Sequence, residues 1–410
     1  MGRRIVIIGG GAAGFFAAAN LQQLPNDVEV VILEKSNKTL SKVKVSGGGR
    51  CNVTTSVDQV GQLVKQYPRG EKPLRNLFKA FGPVELRQWF EERGIPLKTE
   101  DDGRVFPTSD SSQTIIDCLR EEAQRLGVKV MHGEQVVDLS QKPEGWTVTT
   151  SGGKLWEADL VMVAMGGHPK SAAYDWLSAL GLELEKPLPS LFTFNIPDSP
   201  LLTLAGTSVP SAEVKIAGTK FSYTGPLLIT HWGLSGPAVL KLSAFAARNL
   251  AEKDYQFQVL VKWDQEWNED AVRNWVSENR NSQAKKKIVN CPLRPLTQRL
   301  WSTLTELAGI PEEMRWADLP KKSANKLINA MVSMPFEVAG KTTFKEEFVT
   351  AGGVKCSEVD FKSMQSRKLA GLYLAGEVLD VDGITGGYNF QNAWSGGYVA
   401  ARHMVEQLKN

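Results

Sequence analysis

The chain has 410 residues, more than one core comfortably serves, so two or more domains are expected. Hydrophobic residues make up 42% and charged residues 23%, the balance of a soluble globular enzyme, and a net charge of +3 is too small by itself to argue for nucleic acid. Cys51, Cys118, Cys291 and Cys356 form no CxxC pair, and no run of 18 apolar residues or signal-peptide pattern exists, so the expectation is a cytoplasmic protein with no membrane span.

Ile5-Val6-Ile7-Ile8 is fully apolar and β-branched, which predicts a buried parallel strand. Gly9-Gly10-Gly11-Ala12-Ala13-Gly14 follows and matches G-x-G-x-x-G, and a helix-like stretch then runs from Phe15 to Leu24. A second apolar run, Val28 to Leu33, ends in Glu34, with Lys35 beside it. Gly9 allows the tight turn, Gly11 lets the backbone approach a pyrophosphate, and Gly14 lets helix and strand pack closely. The first helical N–H groups, at Ala12 and Ala13, offer partial positive charge to phosphates. Glu34 can accept hydrogen bonds from a ribose diol and disfavours a 2′-phosphate. This pattern predicts a dinucleotide site without separating FAD from NAD.

Lys44 to Thr55 reads KVSGGGRCNVTT. One cysteine without a nearby histidine or second thiol is not a metal set. A cysteine nucleophile needs a base and a lowered pKa; Arg50 could lower that of Cys51, but no base is identifiable. The glycine run better suits backbone lying against a flat or anionic ligand. Further on, Ser111 or Ser112 can cap a helix reaching about Leu126, and Val128 to Met131, Val136 to Ser140 and Asp159 to Ala164 read as strands. The last runs into AMGGHP, where backbone at Ala164 and Gly166 is free to meet a ligand and His168 sits in a loop.

From about Leu191 the texture changes to short strand-like runs with Gly and Pro, such as FSYTGPLLITHWG, which suggest a small antiparallel barrel or sandwich. From about Lys241 to Leu319 the chain is charged and helix-like, with Trp263, Trp267, Trp275, Trp301 and Trp316. Lys241 to Ala330 holds 15 basic and 11 acidic residues, a difference of +4, and includes Lys285-Lys286-Lys287. Basic residues interleaved with aromatics suit a nucleic-acid surface. Near-helical spacing of the first three tryptophans equally suits a core stripe. The closing segment holds a strand, Leu372 to Leu374, then Gly376, Glu377 and Asp380, and then GITGGYNFQNAWSGGYVAARHMVEQL, a glycine turn leading into a long helix. No second G-x-G-x-x-G is present.

KVKVSGGGRCNVT, GRVFP, THWGLSGPAVLKLS, VTAGGV and GLYLAGEVLDVDGITGGYNFQNAWSGGYVA together resemble a family of two-domain FAD flavoproteins. These are the NAD(P)/FAD-dependent oxidoreductases that include aminoacetone-oxidase-like, bile-acid-reductase-like and rRNA dihydrouridine synthase-like proteins. The resemblance spans almost the whole chain and implies an α/β fold. A discontinuous Rossmann-like FAD-binding domain (residues 1–190 and 341–410) would carry an inserted β-barrel-like substrate domain (191–340) with a helical subdomain at about 241–319. It implies flavin contacts at Ser46, Gly47, Gly48, Gly49, Arg50, Cys51 and Asn52, with Lys42 a nearby cation. It implies that backbone near Val136 reads the adenine edge and that Glu377 and Asp380 hold ribityl or pyrophosphate-side hydroxyls. Gly386 and Gly387 would let the chain pass close to the flavin. The helix opening at Tyr388 and Asn389 would face the flavin O2 edge. The family pattern has Thr where this chain has Met165, which removes a hydroxyl contact.

FAD supplies hydride transfer, with NAD(P)H as a transient reductant. One reading is reduction of an electron-poor C=C bond, in a uracil of ribosomal RNA, yielding dihydrouridine, or in a small enone. Others are oxidation of an amine or aminoketone, and a non-enzymatic flavin-dependent sensor or RNA-binding factor. A reduction also needs a proton donor. The candidates are His231, Cys51 and Tyr388.

Overall fold

Ile5, Val6, Ile7 and Ile8 are all buried, and the strand that contains them, Arg3–Ile8, lies in the middle of five parallel strands. In this computed structural model, which describes residues 2–342 and 349–409, the parallel order is Leu372–Leu374, Leu160–Val163, Arg3–Ile8, Val28–Glu34 and Lys129–His132. Two short antiparallel strands, Gln365–Ser366 and Val359–Asp360, extend one edge. Strands covered on both faces need apolar residues at every position, which is why Ile5 to Ile8 show no alternation. This Rossmann-like sheet belongs to a unit formed by Met1–Pro189 and Lys345–Asn410.

The helix Ala12–Asn20 stops short of Leu24. Its last residue, Asn20, is buried, donates to the Phe16 carbonyl (2.7 Å) and accepts from Trp89 Nε1 (2.8 Å). The helix packs on the C-terminal helix Tyr388–Lys409, where a Cβ at Gly397 would lie 2.6 Å from the Ala13 carbonyl oxygen. Phe16, Trp89 and Trp394 fill the space beside this contact. The helix Ser112–Arg125 begins at Ser111, whose hydroxyl accepts from the Gln113 N–H (3.3 Å).

The second unit, Ser190–Phe344, is built on antiparallel strands. Gln256–Lys262 pairs with Ser208–Ile216, which pairs with Ser222–Ile229, then Gly233–Ser235, then Thr193–Asn195. One segment closes the barrel. Met334–Ala339 pairs with Gln256–Lys262, and Lys341–Thr342, just beyond Gly340, pairs with Thr193–Asn195. The helix Pro237–Glu252 supplies Ala238, Val239, Leu242 and Leu250 to the core.

The charged stretch from Lys241 is not continuously helical. Gln256–Lys262 is a barrel strand, with Phe257, Val259 and Val261 buried at alternate positions. Three helices, Glu269–Ser282, Gln298–Leu307 and Lys321–Val332, follow it. Trp263, Trp301 and Trp316 are fully buried, and Trp275 packs edge-on against both Trp301 (5.8 Å) and Trp316 (5.4 Å). Trp267 also packs against this core. These indoles are core. Among the described residues, no helix is long and apolar enough to cross a membrane.

Candidate functional site

The fingerprint glycines serve two different ends. Gly9 has φ +109°, and a Cβ there would lie 2.5 Å from the Ala164 carbonyl oxygen; a Cβ at Gly14 would collide with the carbonyl of Gly9. Those positions are closed by the protein itself. A Cβ at Gly11 would meet no atom within 4 Å. The first helical bond runs from the Phe15 N–H to the Gly11 carbonyl (3.0 Å), so the Ala12 and Ala13 N–H groups have no helical acceptor. The turn thus presents bare backbone donors to open space, the arrangement a pyrophosphate requires.

Glu34 ends the second strand, and its two carboxylate oxygens accept from the N–H groups of Gly10 (2.8 Å) and Ser36 (2.9 Å). The carboxylate is thereby oriented, with lone pairs left for a diol. Beside it opens a cleft of about 290 Å³, lined by Gly9, Glu34, Lys35 and Val136 together with Met165, His168 and Trp176. The cleft lies at the carboxyl ends of parallel strands, where open α/β sheets bind ligands. The cleft-lining role of Trp176 escapes the sequence. It lies in the short helix Asp175–Ala179, beyond the loop that carries Met165 and His168, and no local motif points to it. Ala164 continues the sheet, its N–H donating to the Ile8 carbonyl (2.8 Å), and Gly166, with φ +74°, has open space where a Cβ would stand.

The KVSGGGRCNVTT segment is a helix end rather than an extended loop. Ser41–Gly49 is helical but breaks at Ser46, Gly47 and Gly48. Gly47, Gly48 and Gly49 all have positive φ, and a Cβ at Gly48 or Gly49 would meet nothing within 4 Å. Lys42, on this helix, forms an ion pair with Glu377 (2.7 Å), whose other oxygen accepts from the Thr350 N–H (2.8 Å). Asp380 accepts from the Gly352 N–H (3.0 Å). In the orientation that satisfies its surroundings, the Asn52 amide accepts from the Gly387 N–H (2.9 Å) and donates to the Thr54 carbonyl (2.9 Å). Gly387 lies against the same residue, a Cβ there falling 2.5 Å from the Thr54 carbonyl oxygen. The fold therefore brings together the two glycine-rich blocks, from opposite ends of the chain. Gly376 packs near Ala13, and Gly386 beside the Tyr388 ring.

Of the three proton-donor candidates, Cys51 and Tyr388 belong to the first unit and His231 to the inserted one. Cys51 has no exposed surface, and burial, only partly offset by a hydrogen bond with Ser46, pushes its thiol up to about 12. Arg50 does not lower it. Its guanidinium pairs with Glu100 (2.6 Å) and lies over the Phe106 ring (4.0 Å). The thiol is enclosed and un-ionised, so the structure argues for packing at this position. Tyr388 is nearly buried, its hydroxyl 3.5 Å from Thr55 Oγ1. His231 belongs to the inserted unit and is exposed in the bend between Ser222–Ile229 and Gly233–Ser235.

These features fit an FAD. Bare donors at Ala12 and Ala13, open space at Gly11, Gly48, Gly49 and Gly166, a cleft beside an oriented carboxylate, and a buried Thr350 hydroxyl without a hydrogen-bond partner among the described residues all suit a long polar ligand. Among the described residues no cluster of His, Cys, Asp or Glu is arranged for a metal ion.

A family model described as HI0933-like protein Rossmann domain matches residues 3–403. The 3-dehydro-bile acid delta(4,6)-reductase of Clostridium scindens is 30% identical over 414 residues, 98% of this chain and 99% of that protein. The ribosomal RNA dihydrouridine synthase of Escherichia coli is 30% identical over 411 residues, 98% and 97% of the two chains. Among solved structures, a 3-ketosteroid delta1-dehydrogenase from Sterolibacterium denitrificans superposes with a TM-score of 0.52 at 11% identity, covering 98% of this chain and 99% of that one. A 3-ketosteroid-delta4-(5alpha)-dehydrogenase from Rhodococcus jostii gives 0.50 at 15% identity, covering 97% of each. At such identities these two likenesses concern the fold.

Proposed function

The chain belongs to the HI0933-like family and is an FAD-dependent oxidoreductase, and from that premise we propose that it reduces a C=C bond conjugated to a carbonyl, with a uracil ring of ribosomal RNA as the favoured substrate. The observation that carries this reading is the pair of relatives matched end to end, a bile-acid delta(4,6)-reductase and an rRNA dihydrouridine synthase. Their named substrates differ in size, yet a 3-oxo steroid diene and a uracil share an alkene conjugated to a carbonyl.

FAD, when bound, supplies hydride chemistry for such a reduction. The residues supply the rest. Gly11, Ala12 and Ala13 present donors to the pyrophosphate, and Glu34, Lys35 and Val136 take the adenosine end. Lys42, Glu377 and Asp380 take the ribityl region. The loop Ser46 to Asn52 and the Gly386 to Asn389 turn hold the ring. NAD(P)H is the external two-electron donor. His231 is the assigned source of the proton that saturates the second carbon, with the Tyr388 hydroxyl as the alternative.

The RNA assignment draws support from cations. Segments 284–288 and 314–317 pair through backbone hydrogen bonds, and Lys285, Lys286 and Arg315 on them are exposed, as are Lys321 and Lys322 just beyond. Exposed cations suit phosphate contact. A uracil in folded RNA must also be turned out of its stack to be reduced.

The test is deletion of the gene in its host, with dihydrouridine in purified large-subunit rRNA measured by nucleoside mass spectrometry. The reading expects dihydrouridine to vanish and to return with the wild-type gene. Unchanged dihydrouridine overturns the RNA assignment. NAD(P)H-dependent turnover of a 3-oxo-Δ4 steroid by the purified flavoprotein would then move the same chemistry to small molecules. Failure with both substrates overturns the C=C reading.

A further inference from the structure

A buried ion pair holds the turn between Asp382 and Tyr388, and none of the roles assigned above uses it. The Asp382 carboxylate has no exposed surface, and both its oxygens accept from the guanidinium of Arg69, itself only 9% exposed. The same two residues form an antiparallel backbone bridge, and the Ile384 N–H donates to the Gln66 carbonyl (3.0 Å). The Tyr67 hydroxyl donates to the Tyr388 carbonyl (2.6 Å). Inside the turn, the Asn389 amide accepts from the Gly383 N–H (2.8 Å) and donates to the Gly383 carbonyl (2.9 Å). A Cβ at Gly383 would press on the Tyr388 Cβ (2.7 Å) and on the Tyr67 ring (3.1 Å).

Stability is a poor explanation for such a pair. Moving two ions out of water is costly, and apolar replacements are often as stable. A bidentate Arg–carboxylate pair instead offers fixed geometry and fixed, mutually cancelling charges. Here it anchors the residue just before the turn and the 22-residue helix Tyr388–Lys409. The first helical bond there runs from the Gln391 N–H to the Gly387 carbonyl (2.9 Å), so the helix starts with donors that have no helical acceptor.

We propose that Arg69 and Asp382 are positioning residues for the flavin: the pair clamps the Gly383–Gly387 turn and the helix end behind it. The proposal rests on the assignment of that turn to the flavin and not on the identity of the substrate. Removing either charge should therefore shift the flavin midpoint potential. Arg69→Met removes a positive charge, which opposes electron uptake and lowers the flavin midpoint potential. Asp382→Asn removes a negative charge, which raises it. Arg69→Lys keeps the charge and loses the fork, so it releases FAD faster than wild type while its potential stays close to wild type.

The experiment is an anaerobic redox titration of the purified holoproteins against a reference dye, followed through the flavin visible spectrum, together with FAD release rates. Shifts of opposite sign for Arg69→Met and Asp382→Asn are expected; shifts of one sign, or none, overturn the proposal. If either variant does not retain FAD, Arg69→Lys decides. Faster FAD release with an unchanged apoprotein melting temperature supports the clamp, and an unchanged release rate overturns it. No substrate enters these measurements, so an error in the proposed reaction leaves their outcome readable.

Discussion

The first unit sets its glycines where backbone must come close to something, whereas the inserted unit sets its tryptophans where a core must be filled. At Gly9 and Gly14 the neighbour is the protein's own carbonyl groups, and at Gly11, Gly48 and Gly49 it is open space. Trp263, Trp301 and Trp316 have no exposed surface and meet helices and barrel strands of their own unit. Both residue types attract attention in the sequence. The difference teaches that a residue's chemistry nominates a site and the occupancy of its surroundings decides the matter.

The largest effect that could break this contrast is at Trp301. Trp301→Ala should cost about 3–5 kcal/mol in the unfolding of the inserted unit, read by denaturant titration. A surface stacking residue would cost little stability and would weaken RNA binding instead. Next, His231→Ala should lower turnover about 100-fold with FAD content unchanged, because a lost proton donor removes a chemical step and no packing. Equal turnover would move the role to Tyr388, tested by Tyr388→Phe.

The two kinds of glycine can be separated in one pair of variants. Gly14→Ala drives a methyl into the Gly9 carbonyl and should destabilise the apoprotein by roughly 1–3 kcal/mol. Gly11→Ala should leave apoprotein melting unchanged and weaken FAD about tenfold, ~1.4 kcal/mol. Equal behaviour of the two would erase the distinction between closed and open glycines. The smallest effect is expected at Cys51. With its thiol pushed up to about 12, it stays protonated through neutral pH, so iodoacetamide labelling of the native holoprotein should not rise between pH 7 and 9. An ordinary thiol, with a pKa near ~8.5, would label increasingly over that range. Labelling of Cys51 that follows such a curve would return it to the list of reactive groups.

Legibility in the sequence differs between the units for a physical reason. The strand, turn and helix around Gly9 to Gly14 are contiguous, and each step has its own local signal, so element types and the roles of Gly9 and Gly14 can be read within about thirty residues. The barrel strand Gln256–Lys262 also carries a readable alternation, yet its charged surroundings point to helix. Its neighbours, Ser208–Ile216 and Met334–Ala339, lie far away in the chain. Lys42 meeting Glu377, Asn52 meeting Gly387 and Arg69 meeting Asp382 are contacts of the same long-range kind. Arg69 stands in no motif, and nothing within the closing glycine-rich block singles out Asp382.

By itself the sequence determined the dinucleotide fingerprint, the acid that closes it and the two glycine-rich blocks, because each depends on residues close together in the chain. Tertiary structure alone decided that Cys51 is enclosed, that the tryptophans are core, that a single segment, 334–342, closes the barrel at both edges, and that a buried Arg–Asp pair stands behind the closing turn. Burial and charge pairing depend on which distant segments arrive at the same place, and no local pattern encodes that.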